Sequence, residues 1–413
     1  MGSTDTSTGG NATAPARFAA LDGWRGICAC LVVFFHAHGY SPLYRSDLIH
    51  HSFLFVDFFF VLSGFVIAYT YASRLDTWHG TRRFLLLRIG RVYPLHLFML
   101  LLFVAFELAL MLKGRTPGIE REAFTGGNHP LAILSNLFLV QSLNIHDSLT
   151  WNGPAWSIST EFWTYVLFAL ASLWLGMRHW VVLLAIVATA VLLVHLSKSG
   201  MDTTYDYGLI RCVLGFALGI ACFRLHPLWT RAMKGASTAA ITVLELLVVV
   251  GVVAFVSGVG DSPWQFAAPF VFALAVLVFA LEGGLLSRLF QFRLLNWIGM
   301  LSYSIYLTHA FIVMLLPRII KAVTRLDLWT PMPLHDGTVV MAYGRNDIEG
   351  TLFYAFVLLV TIGFSALTYR WVETPGREWT RRWVGRSKAP GAAAAHVNTP
   401  PLADVSTTSS QRT

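Results

Sequence analysis

The sequence predicts an all-α polytopic membrane bundle of about ten transmembrane helices, with both termini in the cytoplasm. Three observations predict it. Hydrophobic residues make up 55% of the chain and charged residues only 13%, where a soluble domain carries about 25% charged residues. Mean hydropathy is +0.61, and the apolar residues fall in runs of about 20, the length at which a helix crosses hydrocarbon. The Lys and Arg residues are unevenly divided between alternating loops.

The runs place spans at 21–38, 53–72, 93–112, 151–176, 179–196, 208–223, 236–257, 264–282, 296–316 and 350–371. The first is apolar apart from a few polar residues, with Arg25 and His36 eleven residues apart. The second, SFLFVDFFFVLSGFVI, holds Asp57. The third follows a basic loop, RRFLLLRIGRVYPLH, and the fourth opens GPAWSISTEFWTY. The fifth and seventh are plain apolar runs, whereas the sixth is short and interrupted by Arg211. The eighth reads as an ordinary span, the ninth carries several polar residues, and the tenth is followed by TYRWVETPGR. A further run at 131–143 is too short to cross, so it is expected to lie re-entrant or at the interface.

The net charge of +8 is explained by topology and implies no nucleic-acid partner. With the N-terminus inside, cytoplasmic loops and the basic tail carry about twice the Lys and Arg of the opposite side. Residues 17–385 are read as one membrane domain. Residues 1–16 and 386–413 are expected to be disordered, since their small and polar residues bury too little apolar surface to offset ordering. No cleaved signal is expected, because the first apolar run contains Arg25 and lacks a clear cleavage site. Cys28, Cys30, Cys212 and Cys222 have neither metal-site nor redox spacing and read as buried apolar residues. No metal site and no internal repeat are expected.

Ionisable residues in hydrocarbon are costly and mark functional sites. Eleven helical steps are about three turns, so Arg25 and His36 share one face about 16 Å apart along the axis. A cation near one end and an imidazole deeper in suit a long anionic cosubstrate lying along the helix. Imidazole titrates near neutrality and can take and return a hydroxyl proton. The competing reading of His36 is a core histidine bonded to a neighbouring helix, and His38 faces elsewhere. Arg88 and Arg91 are neighbours if their segment is helical, and guanidinium pairs hold phosphates bidentately. The alternative is a positive-inside loop gripping anionic lipid headgroups.

Ser157 and Glu161 are four apart on one helical face. Glu161 would orient His36, act as base, or pair with Arg211 or another buried cation. Asp57 would hold the His36 ring in its working tautomer, contact the substrate, or lie only at the lip of the bundle. Tyr306 and His309, three apart in NWIGMLSYSIYLTHAFIV, are candidates for acceptor binding or for simple helix–helix bonding.

In these residues the chain resembles the acyltransferase-three family of integral membrane O-acyltransferases. LDGWRGICACLVVFFH looks like its arginine-x10-histidine signature. VDFFFVLSGFVI, the Arg88 and Arg91 pair, Ser157 and Glu161 in WSISTE, IGMLSYSIYLTH and the closing TYRWVETPGR follow in the family's order. The resemblance runs from about Arg17 to Arg382. It implies transfer of an acyl group, commonly acetyl from acetyl-CoA, to hydroxyls of glycans, lipids or secondary metabolites. Arg25, His36, Arg88, Arg91, Ser157 and Glu161 carry over as functional residues.

Trp24 and the second aromatic of WSISTEFW are bulkier than is usual in the family, which bears on acceptor choice. The expected reaction moves an acyl group from acyl-CoA to an extracytoplasmic polysaccharide or its lipid-linked precursor, in the bacterial inner membrane among membrane lipids. A transporter or flippase for glycans is the rival reading, because intramembrane Arg, Glu and His also mark substrate paths. Haem binding by paired histidines is a distant third.

Overall fold

The computed structural model of the protein describes residues 18–113, 122–334 and 337–386. Of the terminal segments expected to be disordered, 1–16 and 387–413 lie outside the described residues, and Arg386 ends α14. In chain order the helices are α1 Ala19–Ala37, α2 Asp47–His50, α3 Phe55–Tyr71, α4 Trp78–Lys113, α5 Leu131–Leu137, α6 Trp156–Leu175, α7 His179–Leu196, α8 Gly208–Ala232, α9 Thr238–Gly258, α10 Ala268–Phe279, α11 Leu285–Phe290, α12 Arg293–Thr324, α13 Asp347–Thr368 and α14 Thr374–Arg386. A π turn, Tyr369–Glu373, joins the last two. Among the described residues, nine helices are long and apolar enough to cross a membrane. The all-α membrane fold is as expected.

Three spans differ most from expectation, and each difference has a local cause. The eighth is not an ordinary span: residues Pro263–Ala267 form a 3-10 turn, and α10 has only 12 residues, about 18 Å of helix. Gln265, within that turn, is buried and accepts from the Met201 amide at 3.0 Å. Gln265 also donates to the Gly260 carbonyl, so one buried side chain satisfies backbone groups beside the break and in the chain after α7, the condition under which irregular backbone is tolerated near membrane depth. The sixth is not short: α8 runs unbroken for 25 residues through Arg211.

Arg211 is tolerated because it is paired in full. Its Nε and Nη2 donate to the two Asp57 oxygens at 3.0 and 2.8 Å. It also donates to the carbonyls of Thr203 and Phe53 and lies over the Trp156 ring. Both partners are buried.

The third span is also longer than expected. The basic segment before it is helical rather than a loop, so α4 has 36 residues and carries Arg82, Arg83, Arg88 and Arg91 in its N-terminal half. The run 131–143 does not cross: it gives the 7-residue α5 and turns, pinned by Tyr93 and His96 side chains on the Leu137 and Asn136 carbonyls.

Two helix pairs dominate the packing, α1 on α12 and α3 on α8. Without a hydrophobic drive between helices in lipid, close approach depends on small residues. A Cβ on Gly299 would lie 1.9 Å from the Asp22 carbonyl oxygen, and one on Gly219 would lie 2.0 Å from that of Val61. Glycine is therefore required at both crossings. The first crossing sets α1 against α12 along the length that carries Arg25, His36 and His309.

One element is not legible in the spans. β1 Trp329–Pro333 and β2 Val339–Tyr343 form an antiparallel hairpin between α12 and α13. Tyr343 exchanges backbone hydrogen bonds with His38 and Tyr40 at 2.8 and 2.9 Å, which ties the hairpin to the chain just beyond His36.

Removing one partner of the buried pair leaves the other charge stranded, at a cost of about 3–5 kcal/mol. Asp57→Ala is therefore expected to lower the unfolding midpoint in detergent sharply, and Asp57→Ala with Arg211→Met to recover much of it. Equal melting of Asp57→Ala and the parent protein would refute a structural role for the pair.

Candidate active site

All the expected site residues except Asp57 fall into two connected groups. Around one cavity of about 340 Å³ stand Arg25 from α1, Ser63 from α3, Arg88 and Arg91 from α4, Ser157 and Glu161 from α6, Tyr306 from α12 and Arg377 and Arg381 from α14. Arg25 sits two turns into α1 and makes a 3.6 Å contact with Asp22. Arg88 donates to the Tyr71 hydroxyl at 3.3 Å and its guanidinium lies over the Tyr71 ring. Arg91 reaches Glu373 at 3.4 Å.

Glu161 is not the partner of Arg211, whose carboxylate is Asp57. It accepts from Ser63 Oγ at 2.7 Å and from Tyr165 at 2.5 Å. Its hydrogen bonds thus run to hydroxyls lining the same cavity rather than to His36.

At the far side of the cavity Ser157 Oγ donates to the Tyr306 hydroxyl at 3.0 Å, both side chains being buried. Phe59 packs on the Tyr306 ring at 6.2 Å, and the His309 ring lies 5.8 Å beyond it. His309 Nε2 is 3.3 Å from His36 Nδ1. The two histidines form the second group, outside the cavity lining and next to Tyr306.

His36 Nδ1 also lies 2.9 Å from the Val32 carbonyl. A carbonyl can only accept, so Nδ1 carries the hydrogen and Nε2 keeps its lone pair. This assignment follows from the hydrogen-bond network. His36 is half-buried and His309 buried. Chemically, the arrangement offers a basic polar chamber at one end, an imidazole with a free basic nitrogen at the other, and a serine–tyrosine hydrogen bond between them.

Asp57 stands apart. The sequence offers it as a holder of the His36 ring or a substrate contact, but its carboxylate is taken up by Arg211. The partner of His36 is His309, a pairing that sequence spacing cannot show because 273 residues separate them. Glu373, Arg377 and Arg381 are additions that only the structure brings to the site. The closing TYRWVETPGR does contain a carboxylate among cations, which is a usable signal. Among the described residues no cluster of three or more His, Cys, Asp or Glu is placed to hold a metal ion.

Comparison with known proteins places the chain. The family model described as an acyltransferase domain matches residues 18–370. Protein 2 in the picA locus of Rhizobium radiobacter is 31% identical over 43% of this chain and 94% of its own length. The peptidoglycan O-acetyltransferase OatA of Listeria monocytogenes is 24% identical over 87% of this chain, which spans 56% of that relative's length. A protein named as a putative membrane-bound transacylase, BcsY of Komagataeibacter xylinus, is 27% identical over 70% of this chain and 71% of its own. No solved structure matches it significantly.

The Ser157–Tyr306 bond is a neutral buried pair, worth about 0.5–1.5 kcal/mol. A double-mutant cycle of Ser157→Ala and Tyr306→Phe, read by unfolding in detergent, is expected to return a coupling of that size. Strict additivity would show that the two hydroxyls do not bond.

Proposed function

This chain belongs to the acyltransferase-three family of integral membrane acyltransferases, and on that footing we propose that it transfers an acyl group from acyl-CoA to a hydroxyl of an extracytoplasmic polysaccharide or its lipid-linked precursor. The enzyme class, a transferase of groups other than amino-acyl groups, and the multi-pass placement in the bacterial inner membrane come with the family. The donor, the acceptor and the residue roles are the proposal. The family match also displaces the transporter reading.

The observation that carries the donor assignment is the charge of the cavity. Among the described residues five arginines line it with a single carboxylate, Glu161, so it suits a polyanion. Acetyl-CoA is the simplest acyl donor of that kind. Charge-assisted contacts from Arg25, Arg88 and Arg91 would hold its phosphates. Its pantetheine arm would extend past Tyr306 toward His36, over the roughly 16 Å that separates Arg25 from His36 on α1.

With the cavity facing the cytoplasm, as the Lys and Arg distribution favours, His36 lies toward the opposite side, where the acceptor waits. His36 Nε2 takes the acceptor hydroxyl proton as the oxygen attacks the thioester carbonyl carbon. The C–O bond forms, the C–S bond breaks, and the proton passes from His36 to the departing thiolate. In the covalent variant Nε2 itself attacks first and the hydroxyl then displaces it. Single-turnover incubation with labelled donor and no acceptor separates the two, since a covalent route leaves label on the protein.

The acceptor is favoured as a surface polysaccharide because OatA, the relative matched over most of this chain, acts on peptidoglycan by its name. The hairpin tied to the segment after His36 carries exposed Trp329, whose ring would then lie on the acceptor side.

His36→Ala is expected to abolish acyl transfer while the protein still inserts and binds acyl-CoA. Near-normal transfer by that variant would overturn the catalytic assignment. Arg88→Ala and Arg91→Ala are each expected to weaken acyl-CoA binding by about 1.5–3 kcal/mol, with a loss that shrinks as salt rises. Unaltered donor affinity in both would leave these arginines as topology determinants.

A further inference from the structure

The C-terminal helix α14 follows the last long span, yet it contributes Arg377 and Arg381 to the cavity wall. Its register against α4 is legible from two close approaches. A Cβ on Gly376 would sit 2.5 Å from the Pro94 ring, and one on Gly90 would sit 2.3 Å from Thr380 Oγ1. The two helices therefore run antiparallel, each glycine receiving a side chain of the other helix, at points four residues apart on each. Arg377, next to Gly376, is level with the turn that carries Arg91. Arg381, next to Thr380, is level with the turn that carries Arg88. The two levels are about 5–6 Å apart along the axes.

The deeper level is tied together by one carboxylate. Glu373 Oε1 lies 3.4 Å from Arg91 Nη1 and 3.4 Å from Arg377 Nη1, while Oε2 accepts from Ser304 Oγ at 2.9 Å. Glu373 is buried and closes the π turn Tyr369–Glu373. Such turns recur at functional sites because the extra residue redirects the side chains that follow. One anion between two guanidiniums fixes their spacing and leaves one positive charge over. At the outer level Arg88 is held by Tyr71 and packs over Phe84. Its buried Nε has no hydrogen-bond partner among the described residues. Arg381 is exposed opposite it.

We propose that α4 and α14 form a two-level arginine ladder that reads two separate phosphate groups of the acyl donor. Arg91 and Arg377, set by Glu373, take the diphosphate, and Arg88 and Arg381 take the 3′-phosphate of the nucleotide. The order follows the molecule: the diphosphate lies nearer the thioester, and the deeper level lies nearer Tyr306 and the histidines. Glu373 acts as a positioning residue, holding two cations at phosphate spacing before the ligand arrives. The inference rests on the acyl-CoA reading of the cavity. It adds that recognition depends on the nucleotide's second phosphate and on a helix beyond the last long span.

The test is equilibrium binding of CoA and of 3′-dephospho-CoA to the full chain in lipid nanodiscs. The parent protein is expected to bind CoA about tenfold or more tightly than 3′-dephospho-CoA, the loss that one charge-assisted hydrogen bond predicts. Arg381→Gln is expected to erase that preference by weakening CoA alone. Arg377→Gln and Glu373→Gln are expected to weaken both ligands by similar factors. Arg382→Gln, at an exposed position paired with Glu378, is expected to change neither, which separates the ladder from a diffuse basic surface.

Arg381 is exposed, so its variant keeps the fold and decides the matter even if Arg377→Gln destabilises; Arg377→Lys then supplies the deeper level. Parent protein that binds CoA while Arg381→Gln and the Arg377 variants behave like it, or like Arg382→Gln, overturns the ladder alone. Parent protein that binds neither ligand overturns the donor reading and the ladder with it.

Discussion

Guanidinium groups within a lipid-crossing bundle have to be neutralised or given a polar chamber, because an unpaired charge in hydrocarbon costs several kcal/mol. The architecture depends on how each one is resolved. Arg211 is satisfied by Asp57 and two backbone carbonyls, which pins α8 to α3 and lets α8 run straight through a charged position. Arg91 and Arg377 share Glu373, which draws the segment after the last long span back against α4. Arg25, Arg88 and Arg381 join them around the cavity, whose lining among the described residues includes one carboxylate, Glu161. Arg211 is thus balanced by its own carboxylate, whereas the cavity keeps a net positive lining.

The two ends of the site are joined by close packing. Gly299 on α12 lets α1 approach to backbone contact, so that a helix carrying Arg25 at one end and His36 at the other lies along a helix carrying Ser302, Tyr306 and His309. Tyr306 touches both groups: its hydroxyl accepts from Ser157 on the cavity side, and its ring faces His309. The arginine-lined cavity and a histidine near the opposite end of α1 are thereby joined through one side chain. The Val32 carbonyl decides which imidazole nitrogen of His36 keeps its lone pair, by holding the hydrogen on Nδ1.

The class of fold, nearly all of its spans, the family and part of the candidate site's inventory can be read from the amino-acid sequence. They are legible because lipid imposes a length on each apolar run and a cost on each charge. Both are written locally, as in the eleven-residue interval from Arg25 to His36 or the step from Ser157 to Glu161. The partnerships come from tertiary packing. Asp57 and Glu161 are both acidic residues in spans, and nothing local says that the first belongs to Arg211 and the second to Ser63 and Tyr165. His36 meets His309, and Glu373 meets Arg91, across hundreds of residues. Which charge neutralises which is fixed by helix packing, through glycine contacts at specific crossings, and packing is a property of pairs of helices rather than of any one stretch of chain.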